Sequence, residues 1–377
     1  MPLIATLRLM RVVIAPDCFG GTLTAAQAAD AIATGWRRGA PDHELILRPL
    51  ADGGPGFVDV LHTAIGGVLH RTTVTGPLGT PVEAKWLMHA GVAYLESAEA
   101  AGLHLVPREQ RAEMCERATT RGVGELIAAA RDLGAHEIAI GLGGSATTDG
   151  GSGALAALGL VALDKDDQPV EPGSLADCVR MEGKADVGRV VLIAAADVEN
   201  PLLGPHGAAA TFGPQKGADP AAVDRLERGL TVWADLLTAR TERDKRDTPG
   251  AGAAGGLGYA LLTLGGESVS GANLVAGATQ LSAMIGQSQL VVTGEGSFDW
   301  QSLRGKLVTS VSGVAAAHGV PCLALAGQVA VGRKQAAAAG IEAAYSVSDH
   351  VGSVRKSMAD PAGTLTELAE HVAKQWR

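Results

Sequence analysis

The sequence predicts an α/β fold in two domains, one assembled from both ends of the chain and the other inserted between them. Three observations predict it. At 377 residues the chain exceeds the roughly 100–200 residues of one ordinary domain. Its 51 glycines, abundant alanines and 3% aromatic content suit tight strand–helix turns and close helix–sheet packing, because glycine takes positive φ without a steric penalty. An order of apolar run, Gly-rich turn and helix opens the chain, lapses, and returns near the C-terminus.

Residues 12–15 are a short β-branched run ending at Pro16-Asp17, followed by a Gly-rich turn and a helical stretch over 25–38. A second extended run, 43–49, is closed by Ala51-Asp52-Gly53-Gly54-Pro55-Gly56 before a helix from Phe57. Residues 68–96 break the rhythm: 72–75 and 84–88 read as short strands joined by turns, so a different subdomain is expected to start near residue 70. The rhythm returns with a helix over 123–133, a strand over 137–140, a turn over 141–151 and a small-residue helix to Leu158. A further strand over 190–194 leads to Asp197, and the polar stretch 240–252 is expected to be an exposed loop. A strand over 289–293, the turn Gly294-Glu295-Gly296, a helix over 305–317 and a strand over 321–326 repeat the opening pattern. The expected domains are therefore 1–71 with 285–377, and 72–284 carrying the Gly-rich loop. No internal repeat or low-complexity tract is present.

Composition excludes several functions. The net charge is −9 and the basic residues are scattered, so no stripe of cations is available to displace counterions from a nucleic acid. Arg8 and Arg11 interrupt the N-terminal apolar run, and no uninterrupted apolar stretch is long enough to span a bilayer, so a cytoplasmic protein without a membrane partner is expected. Cys18, Cys115, Cys178 and Cys322 lie far apart without zinc-ligand spacing and read as reduced, mostly buried thiols. His104, His206 and His318 sit near loops with no carboxylate or nucleophile at a useful spacing, and no GxSxG elbow is present.

The strongest local motif is Ile140-Gly141-Leu142-Gly143-Gly144-Ser145-Ala146-Thr147-Thr148-Asp149-Gly150-Gly151, placed after a strand and before a helix. Backbone amides there can face an anion, with hydroxyls of Ser145, Thr147 and Thr148 as further donors. It is neither a Walker A loop nor a GxGxxG dinucleotide turn; the alternative is a crossover needed only for packing. Asp17, Asp52, Asp197 and Glu295 each follow an apolar run, where the carboxyl ends of parallel strands line a ligand crevice. Phosphoryl transfer needs such acids, to hold Mg²⁺ and to accept a proton from the attacking hydroxyl. Lys216 in Phe212-Gly213-Pro214-Gln215-Lys216-Gly217, and Lys306 in Arg304-Gly305-Lys306, are cations in glycine-flanked turns suited to a phosphate or a carboxylate.

With these segments in view, the chain resembles the bacterial glycerate kinase family of the type distinct from P-loop kinases. The matching stretches are Val12-Val13-Ile14-Ala15-Pro16-Asp17 with Leu23-Thr24-Ala25, Ala51-Asp52-Gly53-Gly54, residues 140–151, and Asp197-Val198-Glu199-Asn200-Pro201-Leu202-Leu203-Gly204-Pro205. They continue through residues 212–217, Gly252-Ala253-Ala254-Gly255-Gly256-Leu257-Gly258 and Val292-Thr293-Gly294-Glu295-Gly296 with Gly305-Lys306, so the resemblance covers residues 12–327. It implies a kinase that uses ATP and Mg²⁺ on D-glycerate, usually giving 2-phosphoglycerate. It also implies a Rossmann-like domain from both termini, an inserted second domain and ligands in the cleft between them. Two departures stand out: Gly20 where the family often has Lys after Phe, and Pro55 where it often has Glu. Family members tend to begin near Met10, so the first nine residues are expected to be disordered.

The expected roles follow. Gly143, Gly144, Ser145, Ala146 and Thr147 bind the ATP phosphates; Asp197 and Glu295 hold Mg²⁺; Lys216 or Lys306 balances charge; Asp149 or Asp17 is the base; Asp52, Asn200 and Glu295 meet the substrate. A monomer or homodimer is expected. A galactokinase-type loop is the nearest competing kinase reading, but the chain lacks that loop's Gly-Leu-Gly-Ser-Ser after proline. A non-catalytic sensor of a small hydroxy acid, or a kinase for a different hydroxy acid, is the other alternative; a sensor has no need of a metal site.

Overall fold

The computed structural model describes residues 10–300, 302–304 and 307–376. They form an α/β protein that divides into two compact units. Unit 1 comprises the described residues up to Ala51, Asp59–Ile65 and those from Val275 on; unit 2 comprises Asp52–Val58 and Gly66–Leu274.

The sheet of unit 1 is wholly parallel, in the order Ala343–Ser346, Cys322–Val329, Leu290–Phe298, Arg11–Pro16, Glu44–Leu47. The central strands are buried along nearly their whole length because helices cover both faces of a parallel sheet. Helix Ala25–Gly39 starts on a capping box: the Gln27 amide donates to Thr24 Oγ1 (3.2 Å) and the Thr24 amide donates to Gln27 Oε1 (2.9 Å). It crosses Pro361–Ala373 with backbones nearly touching, and a Cβ on Gly35 would lie 2.1 Å from the Thr366 carbonyl oxygen. The core here is built around Ile14, Ile32, Trp36, Val292, Leu325 and Leu368.

The sheet of unit 2 is mixed. Glu267–Val269, Val191–Ala195, Glu137–Gly141 and Val92–Glu96 run parallel, and Pro81–His89 and Val68–Thr75 continue it antiparallel. Leu160–Leu163 and Arg180–Gly183 form a separate two-stranded ribbon. Helices Arg121–Asp132, Pro220–Thr241 and Ala253–Thr263 join the sheet in one core that buries Trp86, Leu95, Ile140, Trp233 and Tyr259.

Local expectations and structure differ in three places. Residues 68–96 do form turn-linked strands, but they are long, because Val68–Thr75 pairs with Pro81–His89 over its full length. The expected turn Gly294-Glu295-Gly296 stays in strand Leu290–Phe298, held by pairing with Cys322–Val329; a Cβ on Gly294 would lie 2.1 Å from the Leu325 carbonyl oxygen. Of the polar stretch 240–252, the first two residues finish helix Pro220–Thr241 and the last three are buried. Three of the four thiols are buried and Cys18 is exposed. Among the described residues no helix is long and apolar enough to cross a membrane. The expectation for the first nine residues falls outside the described residues.

Candidate active site

Strands Glu137–Gly141 and Val191–Ala195 end side by side, Gly141 opposite Ala195, and release the Gly-rich loop and Asp197 at the carboxyl edge of the sheet. The segment Asp52-Gly53-Gly54 lies directly on these ends. Gly143 donates its amide to Gly53 O (2.9 Å), and Leu142 donates to Ala195 O (3.0 Å). No side chain fits between these layers: a Cβ on Gly53 would lie 2.6 Å from Ala195 O, and one on Gly143 would lie 2.4 Å from the Gly54 Cα. The carboxylates are aimed by backbone donors, Asp52 Oδ1 accepting from Gly54 (3.0 Å) and Asp197 Oδ2 from Ala272 (3.1 Å).

The result is a cavity of about 450 Å³ in unit 2, lined by Asp52, Gly143, Gly144, Ser145, Asp197 and Lys216 among others. Six residues from four separate sequence motifs therefore share one concave surface. The amides of Gly144 and Ser145 have no acceptor among the described residues, and Gly144 is left-handed (φ 75°). Those donors are free for an anion. Lys216 is buried; its Nζ donates to Thr147 O (2.5 Å) and Ser145 Oγ (3.2 Å). Burial pushes its pKa down to about 8, with the charge of Asp149 opposing the shift.

Other expected residues stand behind this surface. Ala146 donates its amide to Ala101 O (2.8 Å), and Thr147 Oγ1 donates to Ala254 O (3.4 Å); neither lines the cavity. Asp149 is fully buried and accepts from the Thr120 amide (2.9 Å), Thr120 Oγ1 (2.8 Å), and the Gly151 (3.1 Å) and Gly153 (3.2 Å) amides. Burial raises its pKa, against the pull of those donors. Asn200 is spent on its own loop, donating to His206 O (2.7 Å) and Thr211 Oγ1 (3.3 Å). Residues Ala254, Gly255 and Gly256 are all left-handed, and this lets the loop dock on the Gly-rich turn: a Cβ on Gly255 would lie 1.9 Å from Thr147 O.

Sequence reasoning missed Phe212, Gln215, Ala253 and Ala254 as lining residues, although both motifs that carry them were in view. It also missed Glu96, a buried carboxylate that accepts the Gly56 amide (2.9 Å) and so ties down the segment bearing Asp52. Burial, then the nearby charge of Glu99, raises Glu96 to about 7. Glu96 ends an apolar strand like the acids that were singled out, but no Gly, Pro or Asn follows it to mark a loop.

Unit 1 has its own cavity of about 460 Å³, lined by Asp17, Cys18, Gly20, Glu295 and Asp299 among others. Asp17 Oδ1 accepts the Cys18 amide (2.6 Å), and Glu295 is buried. Lys306 lies outside the described residues. Among the described residues, no group of three or more His, Cys, Asp or Glu is placed to hold a metal ion.

The model of the glycerate kinase family matches residues 12–377. The chain belongs to that family. The glycerate 2-kinase of Escherichia coli (strain K12) is 38% identical over 374 residues, 97% of each chain. The glycerate kinase of Bacillus subtilis (strain 168) is 41% identical over 346 residues, 90% of each. A crystal structure of the provisionally named glycerate kinase 2 from Salmonella typhimurium LT2 superposes with a TM-score of 0.83 at 35% identity, covering 98% of both chains. Within this glycerate kinase frame, Pro55 packs on the Gly-rich loop, its Cγ 2.7 Å from where a Gly144 Cβ would stand. Gly20 faces open space on the unit 1 cavity.

Proposed function

We propose that the protein transfers the terminal phosphoryl group of ATP to D-glycerate and gives 2-phosphoglycerate. The observation that supports this best is the unit 2 cavity, where two free amides, a buried lysine and two carboxylates meet. Phosphoryl transfer asks the protein mainly for positioning and electrostatic stabilisation, which is what this group of residues supplies. In the proposal the Gly144 and Ser145 amides hold phosphate oxygens and Lys216 offsets their charge. Asp197, with Asp52 beside the same cavity, would hold Mg²⁺. Mg²⁺ takes one or two protein carboxylates and completes its shell with phosphate and water, and Asp197 and Asp52 supply two. Bound there, it would neutralise charge building on the transferring group.

Asp149, whose oxygens already accept four donors, is proposed to position the loop rather than take a proton. Asp17 and Glu295 line the unit 1 cavity, and neutralising either is expected to lower turnover. Replacing Asp197 by Asn is expected to reduce turnover at least tenfold with an unchanged melting temperature; an unimpaired variant would remove Asp197 from the mechanism.

The direct test is ADP release with Mg-ATP and D-glycerate, beside L-glycerate and no acceptor, with the product identified by NMR. ADP release that depends on D-glycerate supports the reading, and phosphate found on C3 would overturn the regiochemistry. ATP binding without turnover would keep the kinase and shift attention to Gly20 and Pro55 as marks of another acceptor.

A further inference from the structure

Unit 2 holds a second cavity of about 640 Å³, larger than the one at the candidate site, lined by Lys184, Asp186, Arg240, Arg243, Thr263 and Leu264 among others. Its lining brings three cations together. Among the described residues, none of the three cations pairs with a carboxylate, whereas Arg131, Arg180 and Arg246 are each engaged. Arg131 binds Asp132 (2.8 Å) and Asp186 (3.0 Å), Arg180 binds Asp167 (2.7 Å), and Arg246 binds Asp235 (2.6 Å). The lining carboxylate Asp186 is thus neutralised by Arg131 from outside. With a net charge of −9, carboxylates are in surplus, so cations left unpaired in one concavity create a local positive potential against the average.

The two guanidinium groups are also held in place. Arg240 Nη2 donates to Gly183 O (2.9 Å) and Arg243 Nη1 to Thr263 O (3.5 Å), which leaves further N–H donors on each for a ligand. Gly265 is left-handed (φ 94°) and a Cβ there would lie 2.9 Å from Arg243 Nη1, so the glycine makes room for this placement.

We propose that this cavity is an effector site for a small polyanion, a phosphate ester or a polycarboxylate. Helix Ala253–Thr263, buried at every residue, gives its occupancy a route to the candidate active site. Its first residues, Ala253 and Ala254, line that site, and its last residue, Thr263, lines the basic cavity. A polyanion that pulls Arg243 away from Thr263 O, or locks it there, acts on the far end of a buried segment whose left-handed start, Ala254 to Gly256, docks on the Gly-rich turn.

The test titrates the full chain by calorimetry with pyrophosphate and, separately, citrate. The chain is compared with a Lys184→Gln, Arg240→Gln, Arg243→Gln triple variant and with Lys216→Met, each checked for an unchanged ligand-free melting temperature. Saturable binding that weakens at least tenfold in the triple variant but survives in Lys216→Met supports the site. Binding of pyrophosphate alone assigns a phosphate ester, and of citrate alone a polycarboxylate. The same ligand is expected to change amide hydrogen exchange at residues 251–256, and the triple variant to abolish that change. No saturable binding, or binding lost only in Lys216→Met, overturns the proposal; binding without any change at 251–256 overturns the effector role.

Discussion

Lys216→Met is expected to lower turnover by roughly 10²-fold or more, the scale seen when one preorganised donor to developing charge is removed from a dry site. The side chain is buried at the floor of the cavity and holds the Gly-rich loop through Thr147 O and Ser145 Oγ, so methionine keeps the volume and loses the charge. The pH dependence is specific. With the pKa lowered from 10.5 to about 8 by burial, the ammonium form prevails below pH 8, and turnover that needs it declines as pH rises through about 8. Stability moves the other way: between about pH 8 and 10.5 the unfolded chain binds more protons at this site than the folded one, so the folded state gains as pH rises across that window. Both effects should vanish in the methionine variant. Turnover profiles from pH 6.5 to 9.5 and urea midpoints at pH 7 and 9 measure them; a Met variant within threefold of the parent would remove Lys216 from the chemistry.

Asp149→Ala is expected to destabilise unit 2 by roughly 3–5 kcal/mol, because unsatisfied buried donors are costly and this change strands several together. The Thr120 amide and hydroxyl and the Gly151 and Gly153 amides all lose their acceptor in a place closed to water. Asn at the same position keeps one acceptor oxygen but turns an NH₂ toward donors, and should recover only part of the loss. Urea unfolding of both variants, with turnover measured under conditions where each remains folded, separates a positioning role from a chemical one. A large stability loss with turnover of the folded protein kept within a few-fold fits the positioning reading. Full stability with turnover abolished would restore Asp149 as the base.

How far the site was legible follows from the range of the interactions that make it. The Gly-rich turn and the acids that follow apolar runs are local patterns, since a strand end and a tight turn are decided by a few neighbouring residues, and Asp52, Gly143, Gly144, Ser145 and Asp197 were found that way. Asp149 sits in the same motif and looked no different from the others; only the tertiary structure shows Thr120 reaching it from the start of another helix. The two glycines flanking Glu295 predict a turn, but a neighbouring strand extends alongside and keeps it in the sheet. In each case the deciding contact comes from a distant part of the chain.

The α/β class, the strand–turn–helix units, the lack of a nucleic-acid stripe and the resemblance to glycerate kinases are readable from amino-acid order alone, because composition, periodicity and ordered motifs are properties of short windows. That Asp52, the Gly-rich loop, Asp197 and Lys216 share one cavity while Asp149 and Asn200 do not emerges only once the chain is folded. That outcome rests on the pairing of Gly141 with Ala195 and on glycine backbones meeting where no Cβ would fit. Burial and register are set jointly by segments far apart in the chain, and it is burial that turns an ordinary lysine into one poised near pH 8.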